Sequence, residues 1–272
     1  MNRKILFYTR NSGLDPDKLS KVKQILEDAS RRCLVEIFEY PDIPEKFDLV
    51  IAAGGDGTFL DASHIAVEYG VPIAGLNIGQ LGFLAEINPE EWSIIDSIFY
   101  GKYDLTERMM IDVTACRGKN IVFEGKALNE VVIHRAFDVP MLQLSLRYGS
   151  EELPEYKADG VIIATPTGST AYNLSFNGPI IYPTEESFVL NAMAPHALTH
   201  RPIVLPSNKM LSISIKECKN GFLNCDGKSL TGVITGDVVT IKMSSKKLKY
   251  IANPNRSFFG ILSEKLHLGK RM

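Results

Sequence analysis

Over the first hundred residues, apolar positions alternate between short continuous runs and a helical spacing. The runs ILFYT and LVEIFEY read as strands. Between them, in residues 17–29, Leu19, Val22, Ile25, Leu26 and Ala29 recur three and four apart, the period of one buried helix face. That is a β-α-β start. FDLVIAA follows as a buried strand, residues 58–69 as a helix closed by Gly70, and VPIAGLN as a further strand. Asn88 and Pro89 suit the cap and first turn of a helix running to Phe99, with Gly101 as its stop. Strands alternating with helices predict a mainly parallel sheet covered on its faces by helices.

From about Leu105 the pattern shortens. MMIDVTAC, NIVFEG, NEVVIHR, LQLSLRYG, DGVIIATP, PIVLP, LSISIK and VVTIKM are rich in Val, Ile and Thr and are punctuated by Gly, Asn and Pro, which predicts antiparallel strands in a sandwich. The tail SFFGILSEKLHL returns to a helical spacing. The predicted fold is therefore an N-terminal Rossmann-like α/β domain, residues 1–104, followed by a C-terminal mainly antiparallel β-sandwich domain, residues 105–255. The tail, 256–272, is expected to pack back on the first domain. A length of 272 residues agrees with two domains.

Composition narrows the function classes. At 45% hydrophobic and 23% charged residues the chain has the make-up of a globular protein. A formal net charge of -2 gives no electrostatic case for nucleic acid or a membrane surface, so small molecules are the expected ligands. The start MNRKILFYTR has too short an apolar run for a signal peptide, and no run reaches membrane-spanning length; a cytoplasmic location is expected. Cys33, Cys116, Cys218 and Cys225 lack metal-ligand spacing and read as reduced thiols.

The chemistry concentrates in GGDGTFL. Gly54, Gly55 and Gly57 permit a sharp turn from strand to helix, where main-chain N–H groups can receive a phosphate. Asp56 would repel that phosphate, so it needs another partner, and a hydroxyl beside the phosphate is one. That combination suits phosphoryl transfer to an alcohol, in which the protein positions the reactants and stabilises charge. Two familiar phosphate motifs are absent. The loop fails G-x-G-x-x-G, and residues 221–229 end in GKS with five residues between the glycines where a P-loop has four. HALTH has two histidines four apart but no glutamate after the first, so it lacks the general base of a zinc protease.

GGDGTFL resembles the glycine-aspartate loop of NAD kinases, which lipid kinases and phosphofructokinases share in looser form. NIGQLGFL, ALNEVVI and DGVIIATPTGSTAYNLS follow in the order and approximate spacing of NAD kinases, so the resemblance covers nearly the whole chain. It implies that Asp56 is the catalytic aspartate, with Gly55 and Gly57 in the substrate loop, and that Phe83 lines the adenine side of the site. It makes Asn129 and Glu130 the pair that holds the dinucleotide and places Lys157 and Asp159 before a long strand. Thr167, Thr170, Ala171, Tyr172, Asn173 and Ser175 match the Thr/Ser-rich substrate loop. Ala194 and Asp226 match further binding positions, although Asp226-Gly227 reads equally as a hairpin turn.

The residue chemistry agrees with those assignments. A carboxylate accepts from vicinal hydroxyls, an asparagine offers donor and acceptor edges, and Thr and Ser serve as either. The implied reaction is phosphoryl transfer from ATP or another phosphate donor to the adenosine-ribose 2′-hydroxyl of NAD, giving NADP. No dense carboxylate cluster suggests a protein cage for a metal, so Mg2+ or another divalent cation is expected with the donor phosphates. The resemblance also implies a homodimer or homotetramer. Two alternatives compete: a lipid kinase sharing the loop, disfavoured by the polar TPTGSTAYN segment, and a non-catalytic NAD(P)-sensing module, disfavoured by the presence of Asp56.

Overall fold

The computed structural model describes residues 3–10, 15–79 and 81–268; Gln80 of NIGQLGFL and the last four residues of the tail lie outside the described residues. The chain divides into two compact units, Met1–Glu107 with Leu248–Met272, and Arg108–Lys247.

The first unit begins β1 (Lys4–Tyr8), α1 (Pro16–Cys33), β2 (Glu36–Glu39), β3 (Leu49–Gly54), α2 (Asp56–Tyr69), β4 (Ile73–Asn77), α3 (Trp92–Phe99) and β5 (Leu105–Arg108). α1 is longer than the apolar period predicts. Asp15 caps it by accepting from the Asp17 N–H at 3.0 Å, with Pro16 at its first position, and it ends only where Leu34 turns left-handed at φ 54°. LVEIFEY therefore gives up its first residues to the helix exit. α3 is shorter than predicted. The Asn88 side chain accepts from the Glu90 N–H at 3.0 Å, while the Glu91 carboxylate accepts from the Asn88 N–H at 2.8 Å; these bonds make a turn that holds Asn88 and Pro89 ahead of the helix.

The second unit contains β6 (Ile111–Arg117), β7 (Asn120–Ala127), β8 (Glu130–Arg135), β9 (Leu142–Tyr148), β10 (Glu151–Glu152), β11 (Tyr156–Ala158) and β12 (Gly160–Ala164). A 3-10 turn (Thr167–Thr170) and α4 (Tyr172–Ser175) follow. Then come β13 (Ser187–Met193), β14 (Ile203–Pro206), β15 (Leu211–Glu217), β16 (Gly221–Cys225), β17 (Lys228–Val233) and β18 (Asp237–Met243). They form two antiparallel sheets, one ordered β10-β9-β15-β18-β6-β7 with β11 beside β9, the other β14-β13-β12-β8-β16-β17. Alternate residues such as Val113, Leu144, Ile163, Ile213, Leu223 and Ile241 face one shared core, the expected result of period-2 strands. The other face of the second sheet packs Val132, Ile162 and Val189 against Phe176 and Ile181, which lays the segment after β12 over that sheet.

The chain then returns to the first unit as β19 (Leu248–Ile251) and α5 (Phe258–Leu266). β19 pairs in parallel with β4, completing a sheet ordered β2-β1-β3-β4-β19-β5. β3 is buried along its whole length, as a central parallel strand between helical layers must be. Among the described residues, no helix is long and apolar enough to cross a membrane. The predicted fold class, an α/β domain followed by an antiparallel β-sandwich, is the one observed.

Candidate functional site

At the carboxyl end of β3 the chain turns through Gly54 and Gly55 directly into α2. Helix α2 begins at Asp56, two residues earlier than predicted, with Gly55 as its cap. Asp56 thus occupies the first turn, where the helix dipole favours a carboxylate. Three backbone amides aim it: Oδ2 accepts from the Phe83 N–H at 2.9 Å, and Oδ1 from Leu84 at 2.9 Å and Ala85 at 3.1 Å. The side chain retains 31% exposure, so the clamp leaves it open to a ligand. Gly82 makes the clamp possible, because a β-carbon there would overlap Oδ1 of Asp56. Gly57 faces the Arg10 guanidinium, which a β-carbon at that position would approach to 3.0 Å; Arg10 itself pairs with Asp61 at 2.6 Å.

The second unit gathers most of the remaining predicted residues at one end of β12. Ala164 stands opposite Glu130, and just beyond it the Thr165 N–H donates to the Asn129 carbonyl at 2.8 Å. Gly168 then packs so closely on Asn129 that a β-carbon would overlap that residue's backbone. Asp226 and Gly227 form the two-residue hairpin between β16 and β17, with φ of 53° and 70°. The buried carboxylate of Asp226 accepts from Leu128 at 2.8 Å, Asn129 at 2.7 Å and Glu130 at 3.1 Å. The hairpin reading of Asp226 is the one observed. It is a turn residue, and its side chain fixes the backbone of the Asn129-Glu130 pair.

Within this cluster Asn129 Oδ1, Glu130 Oε2 and Thr167 Oγ1 are buried without a hydrogen-bond partner among the described residues. Asn173 is engaged internally, donating to Ser169 at 3.1 Å and Pro179 at 3.3 Å and accepting from Asn191 at 3.1 Å. It holds the turn's shape. Asn191, on β13, also donates to the Phe176 carbonyl at 3.1 Å, a supporting role that nothing in the sequence pattern signals. Tyr172 and Ser175 are exposed, Ala171 links the 3-10 turn to α4, and Thr170 donates to the Thr167 carbonyl at 3.4 Å.

Burial, and then the charge of Asp226, push the Glu130 carboxyl up to about 8, against an opposing hydrogen bond from the Tyr172 backbone. Below about pH 4.5 folded and unfolded chains both hold this proton. Between there and about 8 the unfolded chain ionises first, so this group costs about 1.4 kcal/mol of stability per pH unit, levelling above. Glu130→Gln removes that dependence. In thermal denaturation, its melting temperature is expected to exceed the wild type's by a wider margin at pH 8 than at pH 5. An equal margin at both would show that Glu130 ionises ordinarily.

Lys157, Asp159 and Ala194 stand at the opposite end of β12, about 16 Å away for a five-residue strand. Asp159 accepts from Arg135 Nε at 2.6 Å, its N–H donates to the Met193 carbonyl at 3.0 Å, and the Lys157 carbonyl accepts from the His196 N–H at 2.8 Å. Lys157 and Ala194 are exposed, Ala194 with φ 43°. The predicted residues of this unit therefore form two groups. The His200 ring lies 4.5 Å from that of Tyr156, and among the described residues no three His, Cys, Asp or Glu side chains converge on a metal position. All four cysteines are free, and burial pushes the Cys225 thiol up to about 12, which keeps it protonated and inert.

The family model for the ATP-NAD kinase N-terminal domain matches residues 14–103, and that for the ATP-NAD kinase C-terminal domain matches residues 128–253. An NAD kinase from Aquifex aeolicus is 36% identical over 277 aligned positions, covering 98% of this chain and all of that protein. Among solved structures, yeast NADH kinase complexed with NADH superposes with a TM-score of 0.89 at 22% identity, over 100% of this chain and 89% of that one, a likeness of fold. An NAD kinase from Archaeoglobus fulgidus in complex with ATP gives 0.73 at 25% identity, over 97% and 99%. The glycine-aspartate turn at the end of β3 and the Asn-Glu pair beside the β12 turn lie inside the two matched domains, and the chain belongs to the NAD kinase family.

Proposed function

We propose that the chain transfers a phosphoryl group from ATP, or another phosphate donor, to the adenosine-ribose 2′-hydroxyl of NAD, making NADP. Family membership supports the reaction. The observation on the residues that carries it is the trio of unpartnered atoms, Asn129 Oδ1, Glu130 Oε2 and Thr167 Oγ1. A buried polar atom without a partner costs about 1–3 kcal/mol, so three at one strand end favour a ligand rich in hydroxyl and amide groups. NAD has both.

In this reading Asp56 carries the chemistry. Asn129, Glu130 and Thr167 bind the polar groups of the dinucleotide, Phe83 lines the adenine side, and the Asp226 carboxylate keeps the Asn129-Glu130 backbone in place. The acceptor 2′-oxygen forms its bond to the donor's terminal phosphorus as the bond from that phosphorus to the leaving group, ADP when ATP is the donor, breaks. The hydroxyl proton passes to Asp56. A carboxylate is a weak base toward an alcohol, so the proton leaves late, as the new bond forms. Orientation is therefore the larger part of the role of Asp56, and the clamp at Phe83, Leu84 and Ala85 supplies it.

Magnesium, or another divalent cation, is proposed to arrive with the donor phosphates, whose charge it neutralises. An ion that keeps several waters when it binds with phosphates needs few protein ligands. Chelation is expected to abolish NADP formation, with added magnesium restoring it; transfer persisting in excess chelator would contradict this. The group of Lys157, Asp159 and Ala194 is proposed to bind as well, in a cytoplasmic homodimer or homotetramer. Calorimetric titration tests the binding half: NAD is expected to bind Asn129→Ala at least tenfold more weakly than wild type, and equal affinities would remove the trio from the site.

A further inference from the structure

The last helix of the chain reaches the catalytic carboxylate. Ser257 caps α5, accepting from the Gly260 N–H at 3.1 Å, and Ile261 and Leu262 bury its inner face. Lys265 lies in the last turn, at the negative end of the helix dipole, where a cation is favoured. Its ammonium sits 3.8 Å from Asp56 Oδ2 and 4.6 Å from the centroid of the Phe83 ring. One side chain thus touches two residues assigned to the site, and the Phe83 N–H is itself part of the Asp56 clamp. The Lys265 side chain is 28% exposed. An ion pair so open to water adds little stability, and its consequence lies in geometry and local charge.

We propose that Lys265 is a positioning residue for phosphoryl transfer, holding Asp56 and Phe83 in one arrangement and offsetting the carboxylate's charge where a phosphate must approach. The three amides bind the carboxylate from the loop that follows β4, and Lys265 reaches its Oδ2 from α5. The same ammonium, above the face of Phe83, orients the ring by cation–π attraction. An aspartate beside a phosphate-binding turn would otherwise repel the group to be transferred, and a fixed cation at 3.8 Å reduces that repulsion. The proposal rests on the NAD-phosphorylating reading of the chain.

The test compares wild type, Lys265→Met and Lys265→Arg in the full chain, each alone and combined with Asp56→Asn, by steady-state NADP formation and thermal melting. Lys265→Met is expected to lower kcat about 10- to 100-fold and to raise the KM for NAD about threefold or more. Its melting temperature should stay within about 3 °C of wild type. Lys265→Arg, which keeps the charge, is expected to recover kcat to within about fivefold. In the Asp56→Asn background Lys265→Met should cost less than about threefold, because its effect runs through that carboxylate. Wild-type kcat and KM in Lys265→Met would overturn the proposal, as would an equal loss with and without Asp56. So would Met and Arg variants that fail alike with a shared drop in melting temperature, the mark of a structural role. A wild type that makes no NADP would instead overturn the reaction on which the proposal stands.

Discussion

Asp56→Asn is expected to lower kcat for NADP formation about 10²- to 10⁴-fold while the chain stays folded. The substitution preserves size but changes what the group offers. An asparagine oxygen in the place of Oδ1 still accepts from Leu84 and Ala85, whereas its amide nitrogen then faces the Phe83 N–H, donor against donor. That lost bond costs about 1 kcal/mol of stability, a small shift in a melting curve. The chemical loss is larger, because an amide neither accepts the 2′-hydroxyl proton nor directs that hydroxyl as a carboxylate does. Steady-state kinetics with a melting curve on the same preparation separate the two effects. Wild-type turnover from folded Asp56→Asn would remove this residue from the mechanism.

Gly168→Ala is expected to damage both the fold and the binding of the dinucleotide. The new β-carbon would overlap the carbonyl oxygen, carbonyl carbon and α-carbon of Asn129, and backbone atoms have no rotamer into which to retreat. The 3-10 turn must then lift from β8, stretching the bonds from the Thr165 N–H to Asn129 and from the Gly168 N–H to Thr165 Oγ1, 2.8 and 3.1 Å long. Overpacking of this kind costs about 1–3 kcal/mol. Because the displaced atoms belong to Asn129 and to the turn that carries Thr167, NAD affinity is expected to fall about tenfold or more in the fraction that folds. Denaturant melts combined with calorimetry check this. Unchanged stability and affinity would mean that the turn does not depend on close approach at residue 168.

Much of this arrangement was legible in the sequence because it follows from short-range rules. Short runs rich in Val, Ile and Thr marked β6, β7, β8, β9, β12, β14, β15 and β18, while β10, β11 and β13 fell outside them, and Gly70 marked the end of α2. The glycine turn announced itself by residues that few other structures need. Asn129, Glu130 and Asp226 could be singled out, but not the bonds that join them, since Asp226 reaches its partners across 96 to 98 residues of chain. The same separation hid Lys265, which lies 209 residues beyond Asp56 and whose helix shows only an amphipathic pattern. β19 was missed because a four-residue strand gains its stability from pairing with β4, a contact absent from local sequence. The errors at the ends of α1 and α3 came from caps. Leu34 ends α1 in a left-handed turn without a glycine, and Asn88 spends its side chain on the turn before α3. The split of Lys157, Asp159 and Ala194 from the Asn129 cluster becomes visible only when β12 is laid between them.

Phosphorylation at the 2′ position is checked most directly by incubating the full chain with NAD, ATP and magnesium and following the product by phosphorus NMR, with an NADP-specific dehydrogenase as a second readout. The structure and family membership predict a new phosphomonoester signal on the adenosine ribose at the 2′ position and a product that the dehydrogenase accepts. Folded protein that binds NAD but yields no 2′-phosphate, with ATP or with polyphosphate as donor, would contradict phosphoryl transfer to NAD by this chain.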